Sequence, residues 1–151
     1  GENVMLGYWK NIDIYNAAQT IKNFSTGVFP SHWLEMVKSR LYDGDEVASW
    51  TLHRIVRDIL TSLTPICPFF THYLSTTLYN HSSVDVREFP EVLPIVAEHL
   101  NLTASLIEFN SNVWKVKKDS GISLNSEITG IQIPDELSEL KISLIRMHSI
   151  I

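Results

Sequence analysis

The sequence predicts a mainly α fold: an antiparallel helical bundle followed by a small α/β annex of helix, strand and helix. Three observations carry this reading. Apolar residues recur at spacings of three and four over most of the first 80 residues, the period of buried helical stripes. Glycine, proline and aspartate separate these stripes by short connections, as between antiparallel neighbours in a bundle. Past residue 120 the pattern turns to apolar alternation before a last, acidic helix start. The expected division is a bundle over 1–93 and an annex over 94–151.

The first helix rests on Ile14, Ala17, Ala18, Ile21, Phe24 and Val28. Gly27 and Pro30 should interrupt it, since glycine is costly inside a helix and proline disfavours helix before it. A second helix then starts afresh at Ser31 as N-cap, with Trp33, Leu34, Val37 and Leu41 on its apolar face. Asp43-Gly44-Asp45 is a turn whose Asp45 can cap the next helix. That third helix has the cleanest stripe: Leu52, Ile55, Val56, Ile59, Leu60 and Leu63, with Arg54, Arg57 and Asp58 off it and solvated.

Pro65 and Pro68 break the chain, and a fourth helix begins near Pro68 with Phe70, Leu74 and Leu78 four apart. Residues 82–90 alternate briefly, like a short extended return. Pro94 starts a long helix to about Lys118, held by Val96, Leu100, Ile107, Val113 and Trp114 and ended by Ser120-Gly121. Ile128, Ile131 and Ile133 read as a strand closed by Pro134. Asp135-Glu136 opens the last helix, where the helix dipole favours negative charge.

Composition bounds the function. The chain has 151 residues, 44% hydrophobic and 19% charged, so intrinsic disorder is excluded. Twelve Lys+Arg against seventeen Asp+Glu give a net charge of −5. That excludes a broad basic grip on nucleic acid, which needs clustered cations for counterion release. It leaves room for a narrow RNA contact. Cys67, alone between two prolines, reads as a small buried apolar residue, and one cysteine fits a reducing compartment. No stretch approaches the ~20 apolar residues of a membrane span. The start, Gly1-Glu2-Asn3, has neither a basic leader nor an initiator Met, which points to an excised piece without a signal peptide.

Catalytic chemistry has little support. The six histidines are scattered, and none lies in a metal-binding spacing. There is no glycine-rich phosphate loop and no nucleophile elbow. Asp43 and Asp45 are better explained as turn and cap residues than as an acid/base pair. The residues alone stop at a helical domain that is non-catalytic by itself.

Four signals in order say more. They are Trp33-Leu34-Glu35-Met36-Val37-Lys38-Ser39-Arg40-Leu41-Tyr42, the corner Leu60-Thr61-Ser62-Leu63-Thr64-Pro65-Ile66-Cys67-Pro68, the return ending Phe89-Pro90-Glu91, and Lys117-Lys118-Asp119-Ser120-Gly121-Ile122-Ser123-Leu124-Asn125. Together, over about residues 12–133, they resemble the C-terminal part of class I aminoacyl-tRNA synthetases of the valine–isoleucine–leucine group, most like the archaeal valyl type. The chain departs from the family pattern at His72-Tyr73, where an acidic pair commonly follows the corner.

The resemblance implies a tRNA-binding, anticodon-recognising helical domain of a valine–tRNA ligase. It implies tRNA, and tRNA(Val) in particular, as partner, beside a catalytic domain of the same chain. That domain would use ATP and Mg; its His-x-Gly-His and Lys-Met-Ser-Lys-Ser strings do not occur here, so the fragment itself takes no cofactor and no metal. The location implied is cytoplasmic, with no membrane partner. In this family the anticodon meets one end of the bundle. Here that end carries Lys38, Arg40, Leu41, Tyr42, Trp50 and Arg54. Tyr42 can stack a base and the cations can meet phosphates or base edges. Leu41 and Trp50 have core packing as the competing explanation, and Lys38 lies three residues from Glu35. Lys115, Lys117 and Lys118 form a basic cluster for tRNA backbone, weighed against a solvated helix end favoured by the dipole. Two alternatives stand beside this reading: an isoleucyl or leucyl version of the same domain, and a helical protein–protein interaction module without an RNA role.

Overall fold

The structure, a computed structural model, describes residues 7–80, 88–90 and 100–151. Residues 7–10 are helical, and beyond them run α1 (Ile14–Asn23), α2 (Glu35–Tyr42), α3 (Glu46–Leu63), α4 (Pro68–Tyr79), α5 (Leu100–Asp119) and α6 (Lys141–His148). A π-helical segment, Phe24–Leu34, joins α1 to α2, and a 3-10 helix, Asp135–Leu140, leads into α6. The fold is mainly α, as the periodicity predicts.

The chain divides into two compact units. The first comprises Gly1–Gly27 and Asp45–Leu93; the second comprises Val28–Gly44 and Pro94–Ile151. The helix that reads as part of the bundle, α2, therefore belongs with the C-terminal residues, because its apolar face finds its partners there.

In the first unit, α3 packs against α1 and α4. Asp13 caps α1 by accepting the Asn16 amide at 3.1 Å, and Asp45 caps α3 by accepting the Ala48 amide at 3.0 Å. Each cap satisfies one of the backbone donors that a helix start leaves free, worth about 1 kcal/mol. Pro68 occupies the start of α4, where its missing donor costs nothing. Asn80 ends α4 in the left-handed region at φ 51°. The interior of this unit is built mostly from small groups: Ala17, Ala48, Thr61, Ser62, Thr71 and Ser75 are buried beside two larger side chains, Ile21 and Leu60.

The second unit has a larger core. Met36 and Val37 of α2 meet Leu106, Phe109 and Val113 of α5, Leu137 of the 3-10 helix and Leu144 of α6. Trp33, Leu41, Leu102, Ile131, Ile133, Leu140, Met147 and Ile150 pack around it. Full burial of a Leu or Phe stabilises by roughly 1.5–3 kcal/mol, so this cluster dominates the unit. Gly121 closes α5 at φ 69°, a left-handed conformation that needs no Cβ, and Ile122 N–H returns to the Lys117 carbonyl at 3.0 Å.

Several expectations change. Gly27 and Pro30 do not interrupt the first helix; the chain stays helical from Ile14 to Tyr42 by widening to the π pattern around them. A wider turn tolerates the missing proline donor that would break an α ladder. Ser31 is accordingly not an N-cap: it lies inside the π segment, and α2 follows from Leu34 without a side-chain cap. On α4 the buried residues are Thr71 and Ser75, while Phe70 and Leu78 are exposed, so the apolar spacing there marks the outer face. Cys67 is exposed rather than buried, because it sits in the corner between α3 and α4.

The expected strand is likewise absent among the described residues. Ile128 makes only an isolated parallel bridge with Ile150, donating to Ser149 and accepting from Ile151, both at 3.0 Å. Ile131 and Ile133 pack on the core as irregular chain, and an α/β annex is replaced by helices around one core. The last helix does open at Asp135, first as 3-10 and then as α. Of the expected return over 82–90 only 88–90 are described, without regular structure; the rest of it, the helix start at Pro94 and the contacts of Val96 and Leu100 lie outside the residues whose conformation or side chains are described.

Candidate nucleic-acid interface

The sequence-predicted residues fall in both units. Lys38, Arg40, Leu41 and Tyr42 stand on α2 in the second; Trp50 and Arg54 stand on α3 in the first.

The register of α2 sorts its residues physically. Met36 and Val37 point into the core, and Leu41, four residues past Val37, packs against the same cluster. Leu41 is thus a scaffold for its neighbours. Tyr42 is 80% exposed at the last position of the helix, an aromatic ring held outward by a buried base. The Lys38 ammonium lies 3.3 Å from Glu35 Oε1, with both side chains half exposed. An exposed i,i+3 pair is worth only ~0–1 kcal/mol, so RNA phosphate can compete for Lys38. Arg40 is half-buried and engaged within the protein. Beyond Tyr42 the chain turns at Gly44, whose φ of 79° suits glycine.

On α3, Trp50 is 62% exposed and so is no core residue. The Arg54 Nε donates to Asp58 Oδ2 at 2.7 Å, one turn along the same helix. Arg57 stacks over the Tyr79 ring at 4.5 Å from its centroid, and the Tyr79 hydroxyl lies 3.2 Å from His53 Nδ1. Arg57, which reads as merely solvated in the sequence, thus ties α3 to α4 through a cation–π contact.

The basic cluster on α5 loses its middle member. Lys115 and Lys118 are exposed, but Lys117 is fully buried. Its ammonium donates to the carbonyls of Leu124, Ser126 and His148, each at 2.7 Å. All three protons are used, so Lys117 is a structural clasp and offers nothing to a phosphate. Burial lowers its pKa. The Lys-x-x-x-Gly-x-x-Leu-Asn string now has a physical meaning. Lys117 ends the helix, Gly121 makes the left-handed exit, and the returning loop delivers the Leu124 carbonyl to the ammonium.

Beside the clasp lies a buried polar chain. His148 Nε2 is 2.7 Å from Asn110 Oδ1, and Asn110 Nδ2 is 3.1 Å from His32 Nδ1 on the π segment. Trp114 contacts both histidine rings. Burial first, then the positive charges of Lys117 and His32, lower the His148 pKa from 6.5 to about 4. Burial also lowers that of His32. His148 is therefore neutral at physiological pH, as its place beside a buried ammonium requires. Its Nδ1 is buried without a hydrogen-bond partner.

Two features escape the sequence. Arg146, on α6, reaches the end of α2: its Nη1 lies 3.7 Å from Asp43 Oδ2. These residues border an open cavity of about 490 Å³. The only hint in the sequence is the i,i+4 spacing of Ser39 and Asp43, which lets both face one side of α2. Among the described residues no three His, Cys, Asp or Glu side chains gather as a metal site. No described helix is long and apolar enough to cross a membrane.

Comparison with known proteins bears on the family of the chain. The chain is 31% identical over 149 residues to a valine–tRNA ligase of Nanoarchaeum equitans, covering 99% of this chain and 20% of that protein. It is 38% identical over 124 residues to the valine–tRNA ligase of Saccharolobus solfataricus, covering 80% of this chain and 15% of the relative. A bacterial relative, the valine–tRNA ligase of Tropheryma whipplei, is 30% identical over 124 residues, 82% of this chain and 14% of its own length. The chain thus spans about a fifth or less of the curated relatives it matches. No solved structure matches significantly. Residues 6–133 match the family described as the anticodon-binding domain of tRNA ligase, and with most of its length inside that match this chain belongs to that family.

Proposed function

We propose that this chain holds the anticodon loop of a tRNA, with tRNA(Val) as its cognate, as part of a cytoplasmic valine–tRNA ligase. Charging with valine would take place on a catalytic domain outside this sequence, with ATP and Mg bound there. The observation that carries the reading is the end of α2: an exposed Tyr42 on a helix whose opposite face is locked into the core. A rigid outward aromatic is a stacking platform for an unstacked base, worth ~1–3 kcal/mol. Lys38 beside it, and Lys115 and Lys118 on α5, supply positive charge for phosphates. Trp50 and Arg54 on α3 are candidate contacts of the other unit, to be tested on their own.

The relatives named above favour valine over isoleucine or leucine. The acidic balance predicts a shallow salt dependence, since each phosphate contact contributes about one unit to the slope. Filter binding of tRNA(Val) to the full-length protein tests the reading. The Tyr42→Ala variant should bind roughly tenfold more weakly, and an anticodon-swapped tRNA should lose a similar factor against wild type. Equal binding of both tRNAs at low salt would leave the interaction-module reading in its place.

A further inference from the structure

The geometry points to a second base-reading element beside Tyr42: the cavity between the end of α2 and the end of α6, in which Asp43 and Arg146 grip the pairing edge of one unstacked anticodon base. The inference rests on the anticodon reading above and assigns residues to it.

Four observations converge. The space there is an open groove of about 490 Å³, wide enough to receive one base at its edge rather than to enclose it. Its lining combines the aliphatic surface of Ile145 and Ile150 with the hydroxyls of Ser39 and Ser149, one cation, Arg146, and two carboxylates, Asp43 and Glu127, so acceptors for a base amine outnumber donors. Aliphatic surface covers a base face, while the polar groups meet its edge.

The Asp43–Arg146 pair is poorly explained by stability. At 3.7 Å with side chains 72% and 52% exposed, it contributes little. Asp43 is also the C-cap of α2, where the helix dipole disfavours negative charge. Helix stability therefore does not account for a carboxylate at this position beside the groove.

The far wall is preorganised. Ser149 adopts φ 51°, the Lys117 ammonium holds the adjoining His148 carbonyl, and the Ile128–Ile150 bridge fixes the next residue. Only a modest rearrangement of the exposed ion pair is then needed to admit a ligand.

Carboxylate and guanidinium side by side form an acceptor next to a donor, the complement of a base's pairing edge. A valine anticodon has adenine at its middle position and cytosine at its third. Both bases present an exocyclic amine beside a ring-nitrogen acceptor. Asp43 would accept from the amine, and Arg146 would donate to the ring nitrogen. Tyr42, the residue before Asp43, leaves its ring available to a neighbouring base.

The test uses the full-length protein and three tRNA(Val) forms. One is unmodified, one carries purine riboside for the middle adenosine, and one carries pyrimidin-2-one riboside for the third cytidine. Each replacement deletes only the amine. Wild type should bind one of the two amine-deleted tRNAs roughly tenfold more weakly. In Asp43→Ala that penalty should fall below twofold, and Arg146→Ala should weaken binding of the unmodified tRNA. Unchanged melting temperatures for both variants show that the fold is intact, as their exposure predicts. If wild type discriminates against an anticodon swap but Asp43→Ala keeps the full amine penalty, or neither deletion matters, this assignment is overturned while the anticodon reading stands. If wild type does not discriminate between anticodons at all, both fall.

Discussion

The two units solve the same packing problem with different materials. The second buries large side chains from several elements around one cluster, from Met36 on α2 to Leu144 on α6. The first closes on alanines, hydroxyls, Ile21 and Leu60, and leaves Ile12, Ile14, Tyr15, Phe69, Phe70, Tyr73 and Leu78 exposed. The second unit exposes apolar groups too, among them Tyr42, Ile142 and Ile151, so the contrast lies in the core: large side chains in one unit, mostly small ones in the other. The difference teaches that stability and presentation are separated. The second unit anchors α2 so that Tyr42 and Asp43 stand at a fixed place, whereas the first offers apolar surface that its own packing does not consume. Exposed apolar residues this numerous are a larger exception than scattered surface leucines.

The sharpest way to break the comparison is to cut the large core. Leu144→Ala removes a fully buried side chain and should cost about 2–5 kcal/mol in denaturant unfolding. A loss below 1 kcal/mol would show that the cluster does not anchor the second unit.

Acid should act on the second unit next. His148 has its pKa lowered from 6.5 to about 4 in the folded state. Between those values the unfolded chain binds a proton that the folded chain refuses, so stability falls as pH drops from 6.5 towards 4 and is fully present above 6.5. The loss should be about 3 kcal/mol over that window. His148→Gln should flatten this part of the profile, measured by urea midpoints at pH 7 and pH 4.5. An unchanged pH dependence would mean that the buried histidine is not what acid attacks.

The smallest effect belongs to the first unit. Phe69, 89% exposed on α4, should tolerate Phe69→Ser with a change within ~0.5 kcal/mol of unfolding free energy. A loss above 2 kcal/mol would show that α4 packs its aromatic residues after all, and would erase the contrast.

Much of the fold is legible because helix signals are local. The Asp45 cap, the Pro68 start and the Gly121 stop act through their own backbone, so they can be recognised residue by residue. The π segment is not, since Gly27 and Pro30 are breakers in isolation, and the burial of Phe29 between them and of Met36 and Val37 beyond is a tertiary fact that no local pattern shows. The inward face of α4 misleads for a similar reason. Thr71 sits close to the corner, within 3.2 Å of the Thr64 hydroxyl, and its own hydroxyl is satisfied by the Cys67 and Pro68 carbonyls. A small satisfied polar group can thus be buried where a phenylalanine would not fit.

The candidate site divides the same way. Tyr42 and Lys38 are readable as a helix end with an aromatic and a cation. Lys117 was hidden in plain view: it falls four residues after Val113, on the stripe of Leu106, Phe109 and Asn110, and only the burial of that stripe converts it from a surface charge to a clasp. Arg146 and Asp43 are more than a hundred residues apart in the chain, and no local pattern pairs them.

By itself, then, the amino-acid sequence determined the helical class, the helix ends at Asp45, Pro68 and Gly121, and the aromatic and basic candidates, because periodicity and capping depend on neighbours within a few residues. The tertiary structure alone decided which residues share a core, which lysine is buried and which arginine reaches the end of α2. Those outcomes depend on desolvation and on contacts between distant segments, whose free energies exist only once the chain has folded.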